Sequence, residues 1–169
     1  MTDSPSPEPG EVLAGSIGFL LSKLGFLTGS RFAAVLEPLG INPVHFALLR
    51  IVDAVEARSQ HALGEALGIP PSRMVVLVDD LEGRGFVERR RSRTDRRVNT
   101  LHLTSQGRRV FERALKAASM WEAELCSSLD EHERAELGRL LRRLAAGQDL
   151  PVGVHPAMAQ QPPGDKSPD

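Results

Sequence analysis

The segment ERRRSRTDRRVNTLHLT, residues 88–104, carries six arginines within nine positions: Arg89, Arg90, Arg91, Arg93, Arg96 and Arg97. A guanidinium stays charged at any ordinary pH and presents five donors in a planar fork, so such a cluster suits the binding of phosphate oxygens. The 169-residue chain as a whole has a formal net charge of −1. That near-neutrality hides a segregation. Residues 61–109 carry a net +4, between flanks of −2 (residues 1–60) and −3 (residues 110–169). A basic centre between acidic flanks points an anionic partner at the centre alone.

Other chemistries find little footing. There is no glycine-rich phosphate loop, no nucleophile motif and no paired acid–base constellation, so the chain does not read as an enzyme. The five histidines show no tight metal-ligand spacing, and neither a metal nor a cofactor is expected. Cys126 is the single cysteine, which excludes an intramolecular disulfide and suits a reducing cytosol. It lies near Trp121 and Leu125 with no arginine beside it in sequence, so it reads as a small apolar residue and not as a peroxide sensor. No uninterrupted apolar run approaches the ~18 residues of a membrane span, and residues 1–10 lack a signal pattern. Arginine outnumbers lysine 18 to 3, a bias of GC-rich bacterial genomes. These features together predict a cytoplasmic bacterial protein without a membrane partner.

The arginines need elements to position them. The stretch from Glu11 to about Glu37 predicts one long helix, with Leu13, Ile17, Leu20, Leu24 and Leu27 on one face at 4-3-4-3 spacing. Gly15, Gly18, Ser22, Gly25 and Gly29 follow the same spacing almost opposite, and Ser16, Lys23 and Ser30 leave only a narrow polar strip. A helix so apolar should be buried on most sides, which is natural between two subunits. Each glycine costs about 1 kcal/mol relative to alanine there. They allow either a close helix neighbour or a cavity for a small ligand.

PVHFALLRIVDAV, residues 43–55, predicts a second helix with Pro43 in its first turn. Ser59 should cap SQHALGEALG, which Gly68 ends. After the turn IPPS, Ser72 should cap a helix from Arg73 to about Arg84, closed by Gly85. Two short helices joined by a tight turn form a helix-turn-helix. The periodicity then changes from 3.6 to 2: Phe86–Arg91 and Val98–Thr104 predict two strands around a charged turn, with Leu101 and Leu103 on one face. A hairpin in that position is a wing, with the arginines on and around its tip. A further helix should run from Thr104 or Ser105 to about Ser128, with Val110, Phe111, Leu115, Trp121 and Leu125 as its buried candidates. Asp130 and Glu133 form a capping box for a last helix striped by Leu137, Leu140, Leu141 and Leu144.

LGIPPSRMVVLVDDLEGRGFVERRRSRTDRRVNTLHLTSQG, residues 67–107, resembles the DNA-binding core of the MarR (multiple antibiotic resistance regulator) family. The family pattern has a recognition helix of the LVDxLExRGLVER kind, then DxR and LxLTxxG; this chain has LVDDLEGRGFVER, Asp95 and Arg97 in DRR, and LHLTSQG. The resemblance covers residues 11–147 in helix order. It implies a mainly α fold with a small β wing. Residues 43–104 would be the winged helix-turn-helix lobe and 11–42 and 105–147 the dimerisation helices; the Pro-, Gly- and Ser-rich ends, 1–10 and 148–169, should by their composition be poorly ordered tails. The resemblance further implies a homodimeric regulator on a pseudo-palindromic double-stranded DNA operator. A small aromatic or anionic effector would bind between dimer interface and lobe and release the DNA.

On that reading the helix beginning at Ser72 and Arg73 enters the major groove. Val75 and Val76 depart from the polar or basic residues frequent there; a valine touches a thymine methyl but loses hydrogen-bonded readout. Asp80 also replaces an often basic residue. Arg73 and the wing are therefore expected to carry more of the specificity. Arg96 and Arg97 are expected in the adjacent minor groove. Asp95 would orient a neighbouring arginine, and Arg89, Arg90, Arg91 and Arg93 would contact backbone. The effector cleft would be bordered by Gly18, Ser22, Gly25, Phe26 and Gly29, with His45 as a donor or cation and Phe46 beside it. Two alternatives remain open: a redox-controlled or ligand-independent DNA-binding regulator, and a winged-helix adaptor for protein contacts.

Overall fold

The computed structural model describes residues 15–54, 59–92 and 99–150. Six α-helices and one antiparallel hairpin follow in order among them: α1 (Ile17–Leu36), α2 (Pro43–Ala54), α3 (Gln60–Leu67), α4 (Pro71–Gly83), β1 (Val87–Arg91), β2 (Asn99–Leu103), α5 (Ser105–Leu125) and α6 (Glu131–Ala146). The chain is thus mainly α with a small β wing, as the sequence predicts. The tails expected at 1–10 and 148–169 lie outside the described residues except for 148–150.

α1 starts later than its hydrophobic pattern suggests. The Ser16 side chain accepts the Phe19 N–H at 3.3 Å and sets the helix start at Ile17. At the other end Pro38 falls in a single 3-10 turn, Glu37–Leu39, and Gly40 leaves it with φ 70°. Only Leu36 of α1 is buried in the single chain. Ile17, Leu20, Leu21, Leu24, Leu27 and Phe26 are all exposed, so the expected burial on most sides is not supplied by the described residues. By length and composition the stretch Ile17–Leu39 is apolar enough to cross a membrane, a candidate span that a search for uninterrupted apolar runs misses because Ser22, Lys23 and Ser30 break it.

The core lies in the lobe. Leu48 and Leu49 of α2, Leu63 and Leu67 of α3, and Met74, Val78 and Leu81 of α4 are fully buried with Val87 and Leu101 of the hairpin. α3 has the predicted boundaries: Ser59 accepts from Ala62 N–H at 3.2 Å, and Gly68 turns left-handed at φ 63°. α4 begins one residue before its predicted cap. Pro70 is the N-cap and Pro71, which has no N–H to satisfy, is the first helical residue. Ser72 therefore sits inside the first turn with its side chain exposed and not capping. Gly85 (φ 71°) closes the helix, with Phe86 N–H returning to Leu81 O at 2.9 Å.

In the hairpin Val87 pairs with Leu103, Arg89 with Leu101 and Arg91 with Asn99. α5 then springs from the hairpin through Thr104, whose hydroxyl accepts the Gly107 N–H at 3.0 Å and donates to Gly85 O at 2.5 Å. It ends at Leu125, with Cys126 as its C-cap, three residues short of the prediction. Of its predicted buried residues Phe111 is buried and Leu115 is exposed, because nothing among the described residues covers the outer face. An aromatic row, Phe46–Phe32–Trp121, with Phe111 against Phe46, joins α1, α2 and α5 at centroid distances of 5.5–5.8 Å. α6 opens with the Asp130–Glu133 capping box, both bonds 2.8 Å, and its four stripe leucines are exposed.

Candidate nucleic-acid interface

α4 buries one face and offers the other. Met74, Val78 and Leu81 enter the core, while Ser72, Val75, Val76 and Asp79 are exposed. At 3.6 residues per turn these four fall within roughly 100° of one another, a single outward stripe. Arg73 lies at the stripe's flank, half-buried, with its Nε screened from solvent. An unobstructed helix face of this width is what the major groove admits.

The hairpin divides its arginines between two tasks. Residues alternate across a strand, so Val87 and Arg89 share the face of Leu101 and Leu103, which packs on the lobe. Arg89 consequently turns inward. Its guanidinium binds Glu82, Asp79 and Gln60, and its backbone N–H reaches Glu82 Oε1 at 3.1 Å. Those hydrogen bonds and carboxylates raise its pKa further against the opposing effect of burial. Arg89 is thus a clamp between α3, α4 and β1, and the structure places its guanidinium on two carboxylates and not at the exposed surface expected for phosphate contact. Arg90 points away, exposed and paired with Glu88, and Arg91 is exposed at the hairpin end. Arg93, Asp95, Arg96 and Arg97 lie outside the described residues.

The predicted effector residues are not brought together. Gly18, Ser22, Gly25, Phe26 and Gly29 lie along exposed α1, Phe26 at 83% exposure, and among the described residues nothing beyond the helix itself comes within 4 Å of where a Cβ on Gly18, Gly25 or Gly29 would stand. Phe46 packs edge-on against Phe32. An open groove of about 710 Å³ does exist at the foot of α1. Its wall is Ser30, Ala33 and Ala34, and its floor includes Gly40, His45 and Arg84. None of the glycine-face residues lines it.

His45 is committed inside this junction and is 6% exposed. Its Nδ1 accepts the Asn42 N–H at 3.4 Å, while Asn42 Oδ1 caps α2 by accepting the His45 N–H at 2.9 Å. Nε2 lies 3.2 Å from Asp80 Oδ2, the same oxygen that Arg84 Nε holds at 2.9 Å, and Arg84 Nη1 donates to Gly40 O at 2.7 Å. Burial pushes the His45 pKa below its ordinary 6.5; Asp80 opposes that shift and Arg84 adds to it. This burial works against the role of cation expected of His45, and its ring nitrogens are engaged by Asn42 and Asp80. Asp80 and Arg84, which sequence reasoning left without this role, join α4 to the loop after α1. Their i,i+4 spacing was the available signal.

A pH dependence follows. Between 6.5 and the lower folded value, the unfolded chain binds a proton that the folded chain refuses, so stability rises with pH there. Acidification through 6.5 should therefore destabilise the lobe, and His45→Gln, which keeps an acceptor and a donor, should flatten the dependence. Urea melts of both proteins at pH 7.5 and 5.5 check this; equal pH losses would sink it.

Known proteins share this fold. The MarR family model matches residues 39–98. A putative transcriptional regulatory protein for the hcr operon of Thauera aromatica is 31% identical over 133 residues, 78% of this chain and 80% of that protein. The solved transcriptional repressor CouR, bound to a 23-mer DNA duplex, superposes with a TM-score of 0.70 at 32% identity, covering 83% of this chain and 99% of that one. CouR from Rhodococcus jostii RHA1 bound to p-coumaroyl-CoA gives 0.66 at 28% identity, over 79% and 94%.

Proposed function

This chain belongs to the MarR family of transcriptional regulators, and we propose that it is a homodimeric repressor whose α4 helices occupy a pseudo-palindromic operator until a small effector releases them. The observation that carries this reading is the exposed stripe of α4 together with the exposed Arg90 and Arg91 of the hairpin. Ser72, Val75 and Val76 face the base edges, with Arg73 at their side. Arg90 and Arg91 meet phosphates and supply affinity without sequence information. For Arg93, Arg96 and Arg97, with Asp95 as their orienting partner, the assignment to the backbone and minor groove rests on sequence alone.

Two copies are needed because one recognition helix reads only a half-site. The exposed leucines of α1 and α6 are the surface that pairs them. The effector is partly apolar, aromatic or anionic. The ligand named for CouR, p-coumaroyl-CoA, is both aromatic and anionic, which makes aromatic acyl thioesters the first class to screen. In the dimer the groove at the foot of α1, beside Arg84 and Asp80 of α4, is where occupancy would reach the recognition helix.

The test is fluorescence anisotropy over a salt series, using duplexes enriched by the protein from a random pool. Each neutralised phosphate contributes about −0.9 to the slope of log affinity against log salt. Arg91→Ala should weaken binding across all sequences and lower the slope by roughly one per protomer. An unchanged slope would remove Arg91 from the interface, and no enrichment at all would end the operator reading.

A further inference from the structure

We infer that α4 reads its part of the operator chiefly through thymine 5-methyl groups, selected by Val75 and Val76. This rests on the DNA-binding reading of α4 and deepens it. The two valines are adjacent at the centre of the outward stripe and are 44% and 52% exposed. Neither packs against the lobe core, Val75 only edging the open groove between α3 and α4, and a β-branched residue is a poor choice for an exposed helix position. Two in a row at the face presented to a partner indicate that the partner supplies the burial.

The rest of the stripe narrows what that partner offers. Ser72 is its only neutral hydrogen-bonding side chain, and the Asp79 carboxylate is held by Arg89. The long donors that read guanine or adenine bidentately are absent from the centre, and Arg73 is displaced to the flank and half-buried. In the major groove the sole apolar feature of a base pair is the thymine methyl; cytosine presents an amino donor in the same region. A valine set against that donor strips its water and returns no acceptor, so the wrong base is penalised as well as the right one favoured. The stiff χ1 of valine adds little ordering cost on contact.

Removing one buried methyl from such a contact should lower affinity about four-fold. The experiment enriches operator duplexes with the full chain, then replaces thymine by deoxyuridine one position at a time and measures anisotropy with wild type, Val75→Ala and Val76→Ala. The expected result is a loss of about four-fold at symmetry-related thymines in each half-site, with the thymine-to-deoxyuridine ratio falling toward one in the matching alanine variant. Circular dichroism melts confirm that these exposed substitutions leave the fold intact. If the operator binds tightly yet every thymine is replaceable without loss, this inference is overturned and the DNA-binding reading stands. Thymine losses that persist in both alanine variants overturn the assignment to the valines. Failure to enrich any sequence overturns both readings together.

Discussion

Gly107→Ala should cost this protein about 3 kcal/mol or more, enough to lower its melting temperature by about 10 °C or to prevent recovery of folded material. Gly107 is buried in the first turn of α5, where that helix leaves the hairpin. An added Cβ would lie 1.8 Å from Phe86 O and 2.7 Å from Phe86 C. Both are backbone atoms, so no rotamer change relieves the overlap. Phe86 is also fixed on either side: its N–H bonds Leu81 O at 2.9 Å and its carbonyl accepts from Thr104 N at 3.1 Å. Relief requires moving α5 off the hairpin, which breaks the Thr104 cap and the closure of α4 in one step. The glycine is needed here for close approach, since its φ is not in the left-handed region. Gly83→Ala is the matched control: nothing lies within 4 Å of its Cβ position. Thermal melts of the two variants should differ widely, and similar melting would refute the steric account.

The position of Gly107 in LHLTSQG illustrates what was legible in the sequence. Local signals are written in neighbouring residues, so Ser59, Gly68, Thr104 and the Asp130–Glu133 box placed helix ends correctly. The change of period at Gly85 located the wing. At Ser72 two local signals competed, and Pro71, with no N–H to satisfy, began α4 first. Elsewhere a non-local constraint decided. The arginine run looked uniform because charge was counted without strand parity; alternation with Leu101 and Leu103 sets Arg89 inward, where Asp79 and Glu82 wait on the helix before it. His45 was read as a free donor because its partner Asp80 is 35 positions away. The groove proposed for the effector was the least legible. The foot of α1, the loop after it, His45 of α2 and Arg84 beyond α4 line it, four segments whose meeting no local pattern records.

Leu20→Glu with Leu24→Glu should turn the protein monomeric and weaken operator binding by about a hundred-fold or more, the advantage lost when two half-sites are no longer engaged together. Ile17, Leu20, Leu24 and Leu27 form one face of α1, exposed by 70%, 46%, 50% and 37% in the single chain. On α6, Leu137, Leu140, Leu141 and Leu144 are exposed by 40–49%. Burying a leucine fully is worth about 1.5–3 kcal/mol, so eight such residues are a surface that water should not retain. A carboxylate placed in that interface must be desolvated without a partner. The lobe core of Leu48, Leu63, Met74 and Leu101 contains none of these residues, so a monomeric variant should keep its folded lobe and its weak, salt-sensitive affinity for random DNA. Lys23→Glu changes charge by more than either single substitution, but on the polar strip of the same helix, and should remain dimeric. Sedimentation velocity of the three proteins decides the matter. A double variant that still sediments as a dimer would show that α1 lies outside the interface and that the α6 stripe, with the outer face of α5, pairs the protomers by itself.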